Sequence, residues 1–170
     1  MVAVLVLSLI PPAWGEAEPS LGGDWVGGFE RGGNWVYIRI HLKPENGAIE
    51  GTYDIPLEFT MDKSLARISL DSSCIRFEMP RADQTLLFEG TLEGAVISGK
   101  VAEAGWQSSF RLDRIVKIEP DKYVGSYRLE AGRYIHIRAW DELDPGTLQC
   151  IDFGTGQLRT LLASSQTTFF

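Results

Sequence analysis

The sequence of 170 residues contains few of the side chains from which catalytic and metal sites are built. It has two cysteines and two histidines, and no His-x-His or Cys-x-x-Cys spacing that would suit a metal ion. The nucleophile motif Gly-x-Ser-x-Gly is also absent. We therefore predict that this chain has no catalytic residues, no metal site and no cofactor.

Clusters of basic residues are missing as well. The 16 Lys and Arg residues are scattered among 23 Asp and Glu residues, which gives a formal net charge of −7. A nucleic-acid surface needs concentrated positive charge to neutralise phosphates. We therefore exclude nucleic acid as a partner, and we do not expect binding to an anionic membrane surface.

The sequence has one continuous apolar run, Val2 to Ile10, which is followed by two prolines and the small residues Ala13, Gly15 and Ala17. The run is too short to cross a hydrocarbon core of about 30 Å as a helix. It is typical of a secretory signal peptide. We predict that residues 1–20 are this signal, that the mature protein is periplasmic or extracellular, and that it has no membrane contact after cleavage. A buried first strand or helix is the alternative.

The two cysteines, Cys74 and Cys150, are far apart in the sequence and both lie in strand-like surroundings. Two cysteines do not make a disulfide framework. Buried free thiols are the favoured interpretation, and a disulfide in an oxidising compartment is the alternative.

A helical period of 3.6 is not found in any long window of the sequence, whereas a period of two recurs from residue 24 onward. In the clearest run, Val36, Ile38, Ile40 and Leu42 alternate with polar or aromatic residues. Eight such runs separated by turn residues predict an antiparallel meander over residues 21–115. Closure into an eight-stranded β-barrel would remove the exposed sheet edges. The predicted fold class is all-β.

A second β-unit is predicted after a linker at residues 116–122. The segment Tyr123 to Tyr127 matches Trp25 to Phe29, and the strand that follows each also matches. The internal repeat therefore specifies the same hairpin twice. Residues 123–170 contain only four apolar runs, which predicts a partial unit that is marginal by itself.

The repeated hairpin carries aromatic and basic residues on the face opposite its aliphatic residues. These candidate binding residues are Trp35, Tyr37 and Arg39 in the first unit and His136, Arg138 and Trp140 in the second. Such a face could stack against a sugar ring or another flat ligand. The favoured alternative is that the two faces form the contact between the units. We do not expect metal binding by His41 and His136, nor calcium in the acidic loop 141–146.

The start of the first strand, Gly23-Asp24-Trp25, resembles the Gly-x-Trp motif of lipocalin-type barrels. The resemblance implies that Trp25 plugs the closed end of a barrel. It also implies that an arginine near the last strand, Arg111 or Arg114, lies across the indole ring in a cation–π contact.

A longer resemblance covers most of residues 22–170. The motifs that carry it include Gly51 to Pro56, Phe77 to Pro80, Phe88 to Leu92 and Tyr123 to Tyr127. They are similar to the β-domains that precede the catalytic domain in some secreted bacterial α/β-hydrolases. The resemblance implies a serine hydrolase domain elsewhere in the same polypeptide, and it transfers no catalytic residue to this chain.

These observations predict a non-catalytic accessory domain that packs against a hydrolase domain or shapes access to it. The alternative is a free-standing periplasmic carrier that holds a small apolar or sugar ligand. An eight-stranded barrel has room for side chains or for one small ligand, so a filled interior would count against the carrier.

Overall fold

The computed structural model describes residues 21–45, 47–140 and 147–170. The predicted signal peptide and the acidic loop 141–146 lie outside these described residues. Most of the described chain lies in antiparallel strands, so the all-β prediction is confirmed. Two short 3₁₀ helices, Pro56–Glu58 and Pro120–Lys122, interrupt the strands.

The larger sheet contains nine strands. They are β1 (Gly23–Arg31), β2 (Asn34–Glu45), β3 (Ala48–Ile55), β4 (Thr60–Ser64), β5 (Ala66–Asp71), β6 (Cys74–Pro80), β7 (Thr85–Glu93), β8 (Val96–Glu103) and β9 (Trp106–Arg114). Their order in the sheet is β4-β3-β2-β1-β9-β8-β7-β6-β5. The chain therefore forms a meander in which β1 and β9 pair at the centre.

The sheet closes nearly into a barrel because its two edge strands are consecutive in the chain. Only Leu65 separates β4 from β5, and its backbone N–H donates to the carbonyl of Gly51 at 2.9 Å. The predicted count of eight strands was therefore one too low. Strand β4 was missed because it is exposed along most of its length and has no alternation of apolar and polar residues.

Aromatic side chains fill the interior of the barrel. Phe77 and Phe88 stack with ring centroids 4.7 Å apart, and Phe110 meets Phe88 edge-on at 5.0 Å. Phe29 lies 5.8 Å from the same ring. Burial of each large apolar side chain contributes about 1.5–3 kcal/mol, so this cluster is the main source of stability in the larger sheet.

The second, smaller sheet contains β10 (Gly125–Glu130), β11 (Arg133–Ala139), β12 (Leu148–Asp152) and β13 (Gln157–Leu161), in that order. Its first hairpin has the same register as the first hairpin of the barrel. Gly27 pairs with Ile38, and Gly125 pairs with Ile137 at the corresponding positions. A hydrogen bond of 2.8 Å from the N–H of Val116 to the carbonyl of Ala163 connects the end of the chain to the segment after β9.

Neither cysteine forms a disulfide. Cys74 is exposed, because on β6 it has the parity opposite to the inward residues Ile75 and Phe77. The expectation of burial was therefore wrong for Cys74. Cys150 is partly buried. The pKa of its thiol is raised mainly by burial and to a smaller extent by the nearby carboxylate of Asp152.

Within the described residues, no helical segment has both the length and the apolar character needed to cross a membrane.

We predict that Phe88→Ala lowers the free energy of unfolding by about 3–5 kcal/mol, because Phe88 is fully buried among three other rings. Phe153→Ala is the matched control, since Phe153 is 67% exposed and its truncation should change stability by about 0.5 kcal/mol or less. Urea denaturation of both variants measures the difference. Equal losses would contradict a filled barrel interior.

Candidate functional site

One end of the barrel holds an arginine above a tryptophan. The guanidinium carbon of Arg114 lies 4.4 Å from the ring centroid of Trp25, and the indole N–H donates to the carbonyl of Leu21 at 3.1 Å. Arg114 also donates to the carbonyl of Gly22. Arg111 lies elsewhere, because it faces outward and donates to both carboxylate oxygens of Asp113 at 2.8 and 2.7 Å.

Gly23 makes this arrangement possible. Its φ of +128° lies in a region that favours glycine, and an added Cβ would lie 2.9 Å from a guanidinium nitrogen of Arg114. The glycine of the Gly-x-Trp motif therefore leaves room for the arginine that covers the tryptophan.

The other end of the barrel holds a second pair of the same kind, which the sequence did not predict. The guanidinium carbon of Arg31 lies 5.4 Å from the ring centroid of Trp106, and Arg31 forms an ion pair with Glu103. Trp106 also packs on Phe29 inside the barrel, with centroids 5.8 Å apart. Each end of the filled interior is thus covered by an arginine and a tryptophan.

The first set of candidate binding residues lies on the outer face of β2. Trp35 is 55% exposed, and its indole lies against the backbone of Gly28, where an added Cβ would be 3.0 Å from Cε2. Burial raises the pKa of Tyr37, whose hydroxyl hydrogen-bonds Arg39. Nε of Arg39 is buried and has no hydrogen-bond partner among the described residues.

The second set lies on β11 and just after it. Both Nε and one terminal nitrogen of Arg138 donate to Oε1 of Gln149, at 2.8 and 2.6 Å, and its guanidinium lies 5.1 Å from the ring centroid of Trp140. Nδ1 of His136 lies 3.2 Å from the hydroxyl of Ser126. Among the described residues, no hydrogen bond, ion pair or ring contact joins this set to the first.

Among the described residues, the Ser126–His136 pair has no carboxylate beside it that would activate the serine as a nucleophile. A catalytic histidine is normally oriented by a third group, most often a carboxylate. On β12 the residue opposite His136 is Ile151, so the neighbouring strand offers an apolar side chain at that position.

Strands β1 to β3 bring a histidine between two carboxylates on the outer face of the barrel. Nδ1 of His41 lies 2.7 Å from Asp24, and Nε2 lies 3.2 Å from Asp54. Asp54 is 3% exposed and also accepts the backbone N–H of Asp62 at 2.8 Å. Sequence reasoning placed His41 on this outer face but did not identify its partners, which the register of three strands brings together.

This cluster stabilises a positively charged histidine. Burial lowers the pKa of His41, but the hydrogen bonds and charges of Asp24 and Asp54 outweigh that effect, so the pKa stands above its ordinary value. Because both ring nitrogens have carboxylate partners, the protonated ring forms an ion pair on each side. Among the described residues, no group of three or more His, Cys, Asp or Glu side chains is arranged to hold a metal ion.

A cleft of about 580 Å³ opens between the first 3₁₀ helix with β4 on one side and the β6–β7 turn on the other. It is lined by Tyr53 and by charged residues that include Lys63 and Arg81. Two contacts cross it: the hydroxyl of Tyr53 donates to the carbonyl of Pro80, and Arg81 pairs with Glu58. These two contacts partly close the cleft.

Three exposed apolar side chains lie beside this cleft, in the segment that runs from the first 3₁₀ helix into β4. Leu57 is 77% exposed, Phe59 is 95% exposed and Met61 is 51% exposed. We call these three residues the apolar loop. Sequence reasoning did not identify it, because no local pattern separates an exposed apolar residue from a buried one in so short a segment.

The chain matches no family model, no curated protein and no solved structure.

We predict that His41 makes stability depend on pH. The folded state binds the histidine proton more tightly than the unfolded chain, where the group titrates near 6.5. The stabilisation is complete below about pH 6.5 and is lost as the pH rises through the raised pKa. The free energy of unfolding, measured by urea denaturation between about pH 5.5 and 8.5, should therefore fall across this range in the unmodified protein.

His41→Asn should remove this fall, and Asp54→Asn should weaken it. His136→Asn is the matched control, because His136 lies on the smaller sheet beside Ser126 and Ile151, and the fall should persist in that variant. An unchanged pH profile in His41→Asn would show that the two carboxylates do not act on this proton.

Proposed function

We propose that this chain is the non-catalytic accessory β-domain of an exported serine hydrolase of the α/β type. In this role it packs against a catalytic domain of the same polypeptide and shapes access to it. The observation that carries the proposal is the apolar loop, which is the most exposed apolar feature of the barrel.

The apolar loop favours docking because its side chains are not buried in the core of the barrel. Leu57, Phe59 and Met61 leave most of their surface in water, where each square ångström of apolar area costs about 25 cal/mol relative to a buried state. Phe59 also has a φ of 52°, which is uncommon for a residue other than glycine. Burial of this loop against another domain would remove the cost of exposure.

The filled barrel supports the accessory role over the alternative of a small-ligand carrier. A carrier needs an open cavity inside the barrel. Here Phe29, Phe77, Phe88 and Phe110 occupy the centre, and Trp25 and Trp106 lie at the two ends. Recognition by this domain therefore takes place on its outer surface.

Export belongs to the same proposal and rests on residues 1–20. The apolar run Val2 to Ile10 with the small residues after it has the composition of a cleaved secretory signal. N-terminal sequencing of secreted protein would test this part, and a mature product that begins before residue 11 would contradict it.

We predict that Leu57→Ser, Phe59→Ser and Met61→Ser together weaken docking to the catalytic domain at least tenfold, which corresponds to about 1.4 kcal/mol. The melting temperature of the accessory domain should not fall, because the three side chains are exposed. Titration calorimetry with the domain encoded after Phe170 measures the affinity. Phe153→Ser, which removes an exposed aromatic side chain from the smaller sheet, is the matched control.

Two results would overturn the proposal. One is a reading frame after Phe170 that encodes no domain with a Gly-x-Ser-x-Gly nucleophile motif. The other is unchanged affinity in the triple variant, which would show that the apolar loop is not the docking surface.

A further inference from the structure

The register of the smaller sheet collects basic and aromatic side chains on one of its faces. Arg128 lies directly opposite Tyr134, Ser126 lies opposite His136, and Arg138 lies opposite Gln149. Ile151 of β12 lies opposite His136 on its other side and pairs with Leu158 of β13. We call this surface the basic face and define it by Arg128, Tyr134, His136, Arg138, Trp140 and Leu158.

None of the described strand residues on the basic face is acidic. The strand residues described for the smaller sheet place Glu130 and Asp152 on the opposite face, where both pair with Arg133. The hydrogen bond from Arg133, with those from Gly154 and Thr155, lowers the pKa of Asp152 to about 2. Glu130 and Asp152 therefore have their ion-pair partner on the opposite face of the sheet.

The arginines of the basic face have no carboxylate partner among the described residues. Arg138 donates to the neutral amide oxygen of Gln149, and its guanidinium also lies over the ring of Trp140. The side chain of Arg128 is exposed. Within the part of the chain that the structure describes, these two positive charges therefore have no carboxylate partner, and a ligand with negative charge would supply one.

Exposed apolar and aromatic surface lies beside these charges, with Tyr134 directly opposite Arg128 and Leu158 two strands away from β11. Tyr134 is 46% exposed and Leu158 is 54% exposed. A tyrosine ring offers a flat apolar body with a polar tip, and a guanidinium can bind a carboxylate or a phosphate through paired N–H groups. A ligand that suits this face therefore carries acidic groups at intervals, and these groups are separated by uncharged rings that can lie against a tyrosine.

We propose that the basic face binds an anionic polysaccharide. Arg128 and Arg138 bind its acidic groups, and Tyr134, which lies directly opposite Arg128, stacks against a neighbouring sugar ring. The shared ligand chemistry is a sugar chain that carries carboxylate or phosphate groups. This site is separate from the apolar loop, so it does not depend on the proposed docking to a hydrolase domain.

Affinity electrophoresis of the full chain tests the proposal. The gels contain polygalacturonate as a carboxylated glycan, a phosphorylated mannan as a phosphate-bearing glycan, dextran as a neutral glycan, and polyglutamate as an acidic polypeptide. We expect retardation by at least one of the two anionic glycans but not by dextran or polyglutamate. The glycan that retards the chain identifies the acidic group.

The matched variants are Arg128→Gln and Arg159→Gln. Both remove one positive charge from an exposed arginine of the smaller sheet, but Arg159 pairs with Cys150 in register and so lies on the opposite face. Arg128→Gln and Tyr134→Ala should each weaken binding at least fivefold, whereas Arg159→Gln should leave it unchanged. Circular dichroism of each variant verifies that the sheet is intact.

The proposal is overturned if neither anionic glycan retards the chain or if dextran retards it equally. It is also overturned if polyglutamate binds as tightly as the glycans, which would indicate an acidic protein partner. Equal weakening by Arg128→Gln and Arg159→Gln would show a general effect of charge instead of a site on the basic face.

Discussion

The packing of aromatic rings inside the larger sheet is the constraint on which the other features depend. Phe88 touches three other phenylalanine rings, and strand alternation requires every second residue to point toward them. Because these rings occupy the interior, polar and charged groups can lie only at the ends or on the outer surface. The two arginine–tryptophan pairs lie at the ends, and the cluster around His41 lies outside.

The outer surface also contributes to the closure of the barrel. Asp54 joins His41 of β2 to the backbone of Asp62 in β4, and β4 leads through Leu65 into the opposite sheet edge. Protonation of His41 therefore acts on the strands that nearly close the sheet. An ion pair on the surface usually contributes little to the free energy of unfolding. Asp54 is almost fully buried, so the loss of its partners lowers the stability by more than the loss of an exposed pair would.

The two sheets show how two hairpins with matching pairs behave in different surroundings. Ile38 of the barrel is fully buried, whereas Ile137 at the corresponding position is only partly buried. The difference arises because seven further strands complete the barrel around the first hairpin, and only two strands extend the second. In this sheet of four strands Arg128, Tyr134 and Arg138 remain exposed, and their exposure makes the basic face available to a ligand.

The sequence by itself determined the strands and the direction of most of their side chains, because alternation is a local property of an extended chain. The resemblance to lipocalin-type barrels also implied an arginine above Trp25. Only the pairing of β1 with β9 selected Arg114 instead of Arg111, since these residues have opposite parity and only one can face inward. Tertiary structure likewise decided the position of β4, the partners of His41 and the exposure of the apolar loop. Each of these depends on segments that are distant in sequence, and no local pattern encodes which of them will meet.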